Sequence, residues 1–133
     1  MTPEEELLTE SKIIAVVGLS PNPERPSYRV AGYLKEKGYA IVPVNPGCAE
    51  ILGAKCYPSL SAVPGPVDIA DIFRASEYVG SIVEEAIGKK ARAVWMQLGV
   101  VNEKAAARAA AAGLTVVMDK CIMQEHGKLS HQR

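Results

Sequence analysis

The chain has 133 residues, 48% hydrophobic and 23% charged, which is the scale and composition of one folded domain of about 100–200 residues and leaves no room for two full-sized ones. Fifteen Lys and Arg balance fifteen Asp and Glu, so no overall positive field gathers nucleic acid, and no apolar run reaches the roughly 20 residues of a membrane helix. A single domain over 1–133 buries about two thirds of its unfolded surface and needs no metal or disulfide to fold.

Thr2-Pro3-Glu4-Glu5 predicts a helix start, with Thr2 as cap, Pro3 in the first helical position and Glu5 completing a capping box. Leu7 and Leu8 face the body. Lys12–Leu19 (KIIAVVGL) is a continuous apolar, β-branched run, as in a parallel strand covered on both faces. A proline-rich loop, 20–26, follows. Ser27 is expected to cap a helix through Lys37 that buries Val30, Ala31 and Leu34, and Gly38 sits where a helix end takes a left-handed residue. Tyr39–Val44 reads as a second strand, although Pro43 lies inside it. Cys48–Pro66 is loop-rich, with a short helical turn at Ser59–Val63. Val67–Phe73 is the third strand. Ser76 is expected to cap a helix through about Lys89. Ala93–Gln97 is the fourth strand, with Trp95 in the core. Asn102 caps an alanine-rich helix that Gly113 ends. Leu114–Met118 is the fifth strand, and the tail from Cys121 forms one more helical stretch.

Strands alternating with helices predict an α/β, Rossmann-like, doubly wound parallel sheet of five strands, order 3-2-1-4-5, in three α/β/α layers. The acidic N-terminus is unlike a signal peptide. Three cysteines, Cys48, Cys56 and Cys121, lack any CxxC spacing. Both features suit a reduced, cytoplasmic protein.

In such sheets ligands bind beyond the carboxyl ends of the strands, so the loops there hold the candidate residues. After the first strand come Gly18-Leu19-Ser20 and Arg25-Pro26-Ser27-Tyr28. A glycine turn opening a helix is an anion site, because free backbone N–H groups and the helix dipole meet there. Ser20, Ser27 and Arg25 add donors and charge. The same residues also suit an ordinary capped loop, and the GxGxxG fingerprint is absent. After the second strand comes Asn45-Pro46, where an NAD site usually carries an acid for the ribose; a plain turn is the other reading. After the third come Phe73, for core packing or an adenine ring, and Arg74, for phosphate, base or a surface ion pair. After the fourth come Gln97, Gly99 and Val100, where glycine admits a close approach to the backbone. Cys121 follows the fifth strand, as a buried small residue or a reactive thiol. His126 and His131 are read as solvated, and no GxSxG, HExxH or Walker A pattern occurs.

These segments together resemble the CoA-binding domain family, whose relatives include the CoA-binding domain of the succinyl-CoA synthetase α subunit and small stand-alone CoA-binding proteins. The resemblance rests on Val17-Gly18-Leu19-Ser20, Arg25-Pro26-Ser27-Tyr28, Tyr33-Leu34, Gly38-Tyr39, Pro43-Val44-Asn45-Pro46, Tyr57-Pro58-Ser59-Leu60, Val67-Asp68, Phe73-Arg74, Trp95-Met96-Gln97-Leu98-Gly99 and Asp119-Lys120-Cys121. It implies a fold that holds the nucleotide half of coenzyme A. Gly18, Leu19, Ser20 and Arg25–Tyr28 would hold phosphates, Asn45 and Pro46 border the nucleotide, Phe73 and Arg74 line the adenosine, and Gln97, Gly99 and Val100 lie near the pantetheine exit. Arg25, Arg29, Arg74 and Lys120 fall near that edge. The synthetases carry a further domain with a phosphorylated histidine, for which 133 residues leave no room.

Three functions compete. The first is a binding module for CoA or an acyl-CoA, with a protein partner or homodimer possible. The second is a nucleotide-dependent enzyme, either an NAD(P) oxidoreductase or a ligase subunit needing a partner chain. The third is a thiol protein using Cys121 against CoA.

Overall fold

A computed structural model describes residues 2–131. Helix α1 (Pro3–Glu10) starts as expected, with the Thr2 side chain accepting from the Glu5 N–H at 3.1 Å and Leu7 and Leu8 buried. Strand β1 (Ile13–Val17), helix α2 (Pro26–Glu36) and strand β2 (Ala40–Val44) follow. A hairpin of β3 (Glu50–Ile51) and β4 (Ala54–Lys55) comes next, then β5 (Ile69–Ile72), a 3-10 turn at Ser76–Tyr78 and α3 (Val79–Gly88). The chain continues through β6 (Ala93–Met96), α4 (Glu103–Ala111), β7 (Thr115–Val117) and α5 (Ile122–His131).

The main sheet is parallel, with order β2-β1-β5-β6-β7. Its apolar strands are covered on both faces, which is why they read as continuous runs. On one face Ile14, Val16, Ile69 and Trp95 pack with Leu7, Leu8, Val30, Ala31, Leu34 and Ile122 of α1, α2 and α5. On the other, Ala15, Val17, Ala70, Ile72, Val94 and Met96 pack with Val79, Val83, Ala86, Ala105 and Ala109 of α3 and α4. The three-layer, Rossmann-like class is the expected one.

The strand order departs from the expectation at one edge. The expected order puts Val67–Phe73 outside β2, but this segment supplies β5, which pairs with β1. Counted along the chain, the sheet strands run 2-1-3-4-5. The segment between β2 and β5 contains no long helix to carry a strand outward. Instead Leu60, Val63 and Val67 pack onto the α3–α4 face of the sheet, and the chain crosses over β1. The winding still reverses beside β1, so the ligand edge predicted by the switch-point rule keeps its place.

Four local expectations are also corrected. Arg25, not Ser27, is the N-cap of α2, because the Ser27 hydroxyl accepts from the Ser20 N–H at 3.0 Å. Ser76 does not cap α3; its Oγ accepts from the Val101 N–H at 3.0 Å. The hairpin β3–β4 falls in a stretch that reads as loop, since its turn residues Leu52 and Gly53 take φ of 54° and 76°, a primed turn normally signalled by Asn or Asp at the first position. His126 is only partly exposed and meets Tyr33 Oη at 2.8 Å through Nδ1, edge-on to the Tyr33 and Tyr39 rings. The His131 side chain lies outside the described residues. No helix among the described residues is long and apolar enough to cross a membrane.

Candidate functional site

Register places Val44, Val17, Ile72 and Met96 side by side at the carboxyl edge of the sheet. The chain leaves β1 toward α2 on one face and leaves β5 toward α3 on the other, so the loops after these neighbours diverge. They touch at Gly18. Its φ is +89°, and a Cβ there would stand 3.0 Å from the Phe73 carbonyl oxygen and 3.0 Å from Arg74 Cδ. Only glycine combines that dihedral with that approach.

A cavity opens on each side of this contact. The smaller, about 290 Å³, is lined by Gly18, Ser20, Arg25, Pro26, Ser27 and Phe73. It lies at the N-terminus of α2, where Pro26 has no N–H and the Tyr28 N–H goes to the Arg25 carbonyl at 3.1 Å, so the Ser27 N–H is the one left to point out of the helix along its dipole. The loop is held by its own hydroxyls. Ser27 Oγ takes the Ser20 N–H, and Ser20 Oγ takes the Asn22 N–H at 3.1 Å. The larger cavity, about 430 Å³, is lined by residues including Gly18, Asn45, Pro46, Ser59, Arg74 and Tyr78. It opens where the segment 57–60 crosses the sheet in place of a helix. The exposed Arg74 guanidinium lies over the Tyr78 ring at 4.5 Å.

Nine of the predicted residues therefore meet at two adjoining cavities: Gly18, Ser20, Arg25, Pro26, Ser27, Asn45, Pro46, Phe73 and Arg74. Asn45 also works inside the fold. Its Nδ2 donates to the Leu19 carbonyl at 2.8 Å and its Oδ1 accepts from the Gly47 N–H at 2.7 Å, tying the loop after β2 to the loop after β1. Leu19 is fully buried, backbone included, with its carbonyl held by Asn45 Nδ2. Tyr28 is half-buried and packs on the α1–α2–α5 side. Gln97 and Val100 are buried, and Gly99 stands exposed in the turn after β6. Arg29 is exposed on α2, and Lys120 faces Glu4 at 3.6 Å. Cys121 is buried in the core beside Ile122. Burial pushes the Cys56 thiol pKa up, with Cys48 and Glu50 adding to the rise.

The larger cavity includes Tyr78, Ser81, Ile82 and Glu85, none of which follows a strand directly. Asp71 is a further residue that the strand-end rule does not reach. It is fully buried in β5, takes a hydrogen bond from Gln97 Nε2 on Oδ1, and leaves Oδ2 without a partner. Burial raises its pKa to about 7 against the smaller, opposing effect of Gln97. An acid in an otherwise apolar strand was the available signal.

With this geometry in hand, the CoA binding domain family matches residues 12–127. The chain belongs to that family. This CoA binding domain is 45% identical over 121 residues to the uncharacterized protein YneT of Bacillus subtilis, a match covering 91% of this chain and 90% of that one. It is 36% identical over 80 residues to acetate–CoA ligase (ADP-forming) II of Archaeoglobus fulgidus, covering 59% of this chain but 12% of the ligase. Among solved structures, a hypothetical protein from Pyrococcus horikoshii superposes with a TM-score of 0.93 at 43% identity, over 96% of this chain and 89% of that one.

Proposed function

We propose that this domain binds coenzyme A, or an acyl-CoA, through its nucleotide half at the carboxyl edge of the sheet, with no chemistry of its own. The observation that carries this reading is the pair of cavities meeting at Gly18 and flanked by Arg25 and Arg74, in a member of the CoA binding domain family. Phosphates suit the smaller cavity. The α2 N-terminus offers the Ser27 N–H and a positive dipole, and the Ser20 and Ser27 hydroxyls and the Arg25 guanidinium supply further donors. The adenosine suits the larger cavity, between the Asn45-Pro46 wall and the Arg74–Tyr78 stack. Leu19 anchors the loop from within through its burial and its bond to Asn45, Tyr28 supports the first turn of α2, and Gln97, Gly99 and Val100 lie along the way out for the pantetheine.

Thermal shift with CoA, acetyl-CoA, dephospho-CoA, NAD, NADP and ATP tests it. A ligand at about 100 times its dissociation constant adds roughly 2.7 kcal/mol, several degrees for a domain of this size. The expected result is a shift with CoA that Arg74→Ala reduces, since a guanidinium stacked on a ring contributes about 0.5–2 kcal/mol. A shift with NAD and none with CoA refutes the reading.

The match to the Archaeoglobus ligase favours a second reading, in which the domain works as one part of an acyl-CoA ligase. Formation of acetyl-CoA from acetate, ATP and CoA by a co-purifying complex is its test.

A further inference from the structure

The large hydrophobic side chains exposed among the described residues gather at one place. Tyr78 is 48% exposed, Leu98 59% and Val101 42%. Tyr78 ends the 3-10 turn after β5, and Leu98 and Val101 lie in the turn after β6. An exposed leucine alone needs no explanation. Here, however, hydrogen bonds hold the two loops together. The Val101 N–H donates to Ser76 Oγ and Asn102 Nδ2 donates to the Ser76 carbonyl, both at 3.0 Å. Asp119, itself at φ 59°, takes the Gly99 N–H at 2.7 Å. Within the turn Gln97 and Val100 are buried while Leu98 and Val101 stand out. The backbone is fixed with its apolar side chains outward.

This rim adjoins the larger cavity. Tyr78 belongs to both. Strands β1 and β6 are two strand spacings apart, about 10 Å, so a ligand held by its phosphates after β1 has its arm run across β5 toward the turn after β6. The N–H groups of Gly99 and Val101 are already taken by Asp119 and Ser76. What the rim offers is apolar surface, which suits an aliphatic chain better than a short polar or carboxylated group. Three side chains are also far below the roughly 800 Å² per partner of a stable protein interface.

Resting on the CoA reading above, we propose that the Tyr78–Leu98–Val101 rim receives the acyl group of an acyl-CoA, and that the ligand class is a medium-length saturated acyl-CoA and not acetyl-CoA. Titration calorimetry with CoA, acetyl-CoA, octanoyl-CoA and free octanoate tests it, on the wild type and a Leu98→Ser/Val101→Ser variant. Both positions are exposed, so the variant is expected to fold and to bind CoA as the wild type does. Octanoyl-CoA is expected to bind the wild type about tenfold or more tighter than CoA, since each buried methylene contributes roughly fourfold. The variant is expected to lose that gain. Equal binding of CoA and octanoyl-CoA, with CoA still bound, overturns the acyl rim and leaves the CoA reading standing. A gain that survives in the variant, or free octanoate binding as well as octanoyl-CoA, also overturns it. No binding of any CoA species overturns the CoA reading and the rim with it. Sedimentation of the same samples guards the last alternative, because a dimer dispersed by the variant assigns the rim to a second copy and refutes the proposal.

Discussion

Replacing Asp71 by asparagine is expected to change how stability depends on pH. Asp71 lies in β5 between Val16 of β1 and Trp95 of β6, fully buried, with one oxygen held by Gln97 and the other without a partner. Burial lifts its pKa from 3.8 to about 7. The folded state therefore holds a proton that the unfolded chain releases at lower pH. The stability contributed by the neutral acid is fully present below pH 3.8 and is lost as pH rises through about 7. The whole rise corresponds to about 4 kcal/mol. Asparagine imitates the neutral acid in shape and cannot ionise. Urea unfolding of the wild type and the Asp71→Asn variant from about pH 4.5 to 8 isolates this group, because every other carboxylate is common to the two. The stability difference in favour of the variant is expected to widen by about 3 kcal/mol over that range, a relative midpoint shift of roughly 1–3 M urea. A difference that stays constant with pH refutes the reasoning and means that Asp71 is ionised in the fold.

Gly18→Ala is expected to destabilise the fold by about 1–3 kcal/mol and to weaken CoA binding, since the loops after β1 and β5 must part; unchanged melting and calorimetry would show that the contact at Phe73 relaxes freely. Asn102→Ala removes the cap on the Ala105 N–H and the bond to the Ser76 carbonyl, and is expected to lower stability by about 1–2 kcal/mol, read by chemical unfolding. Lys90→Gly is expected to raise the melting temperature, because Lys90 sits exposed just past α3 at φ 57°, a conformation that disfavours side chains by about 1–2 kcal/mol; a lower melting temperature would mean that its side chain makes up for the dihedral.

Local sequence carried the elements whose signals are local. Ile13–Val17 and Ala93–Met96 are short, apolar and buried on both faces, and Thr2 and Asn102 cap the helices that they precede. Ser27 and Ser76 carry the same capping chemistry, yet Ser27 turned back to the Ser20 N–H of its own loop and Ser76 to the Val101 N–H of another. A hydroxyl chooses between a near and a far partner, and only the folded chain brings the far one within reach. The strand order was hidden for a similar reason. The segment between β2 and β5 has no helical period, and where it crosses the sheet depends on Leu60 and Val63 finding a place on the α3–α4 face. The candidate site followed the same division. Gly18, Arg25, Asn45 and Arg74 lie in the loops that follow strands, and the switch-point rule reaches them. Tyr78, Ser81 and Glu85 join the cavity because of the crossing segment, so no position count along the chain reveals them.

The outer border of β2 bears on how copies of this domain can meet. Pro43 has no N–H to offer a neighbouring chain, its carbonyl already receives the Tyr57 N–H at 3.0 Å, and the Asn45 N–H goes to the Tyr57 carbonyl at 2.9 Å. At the opposite border β7 has three residues, too short a template for an added strand. Both margins are thus poor nuclei for sheet-to-sheet growth. A concentrated solution of this domain has little route to fibrils through its native edges, and any association between native copies is left to side-chain surfaces.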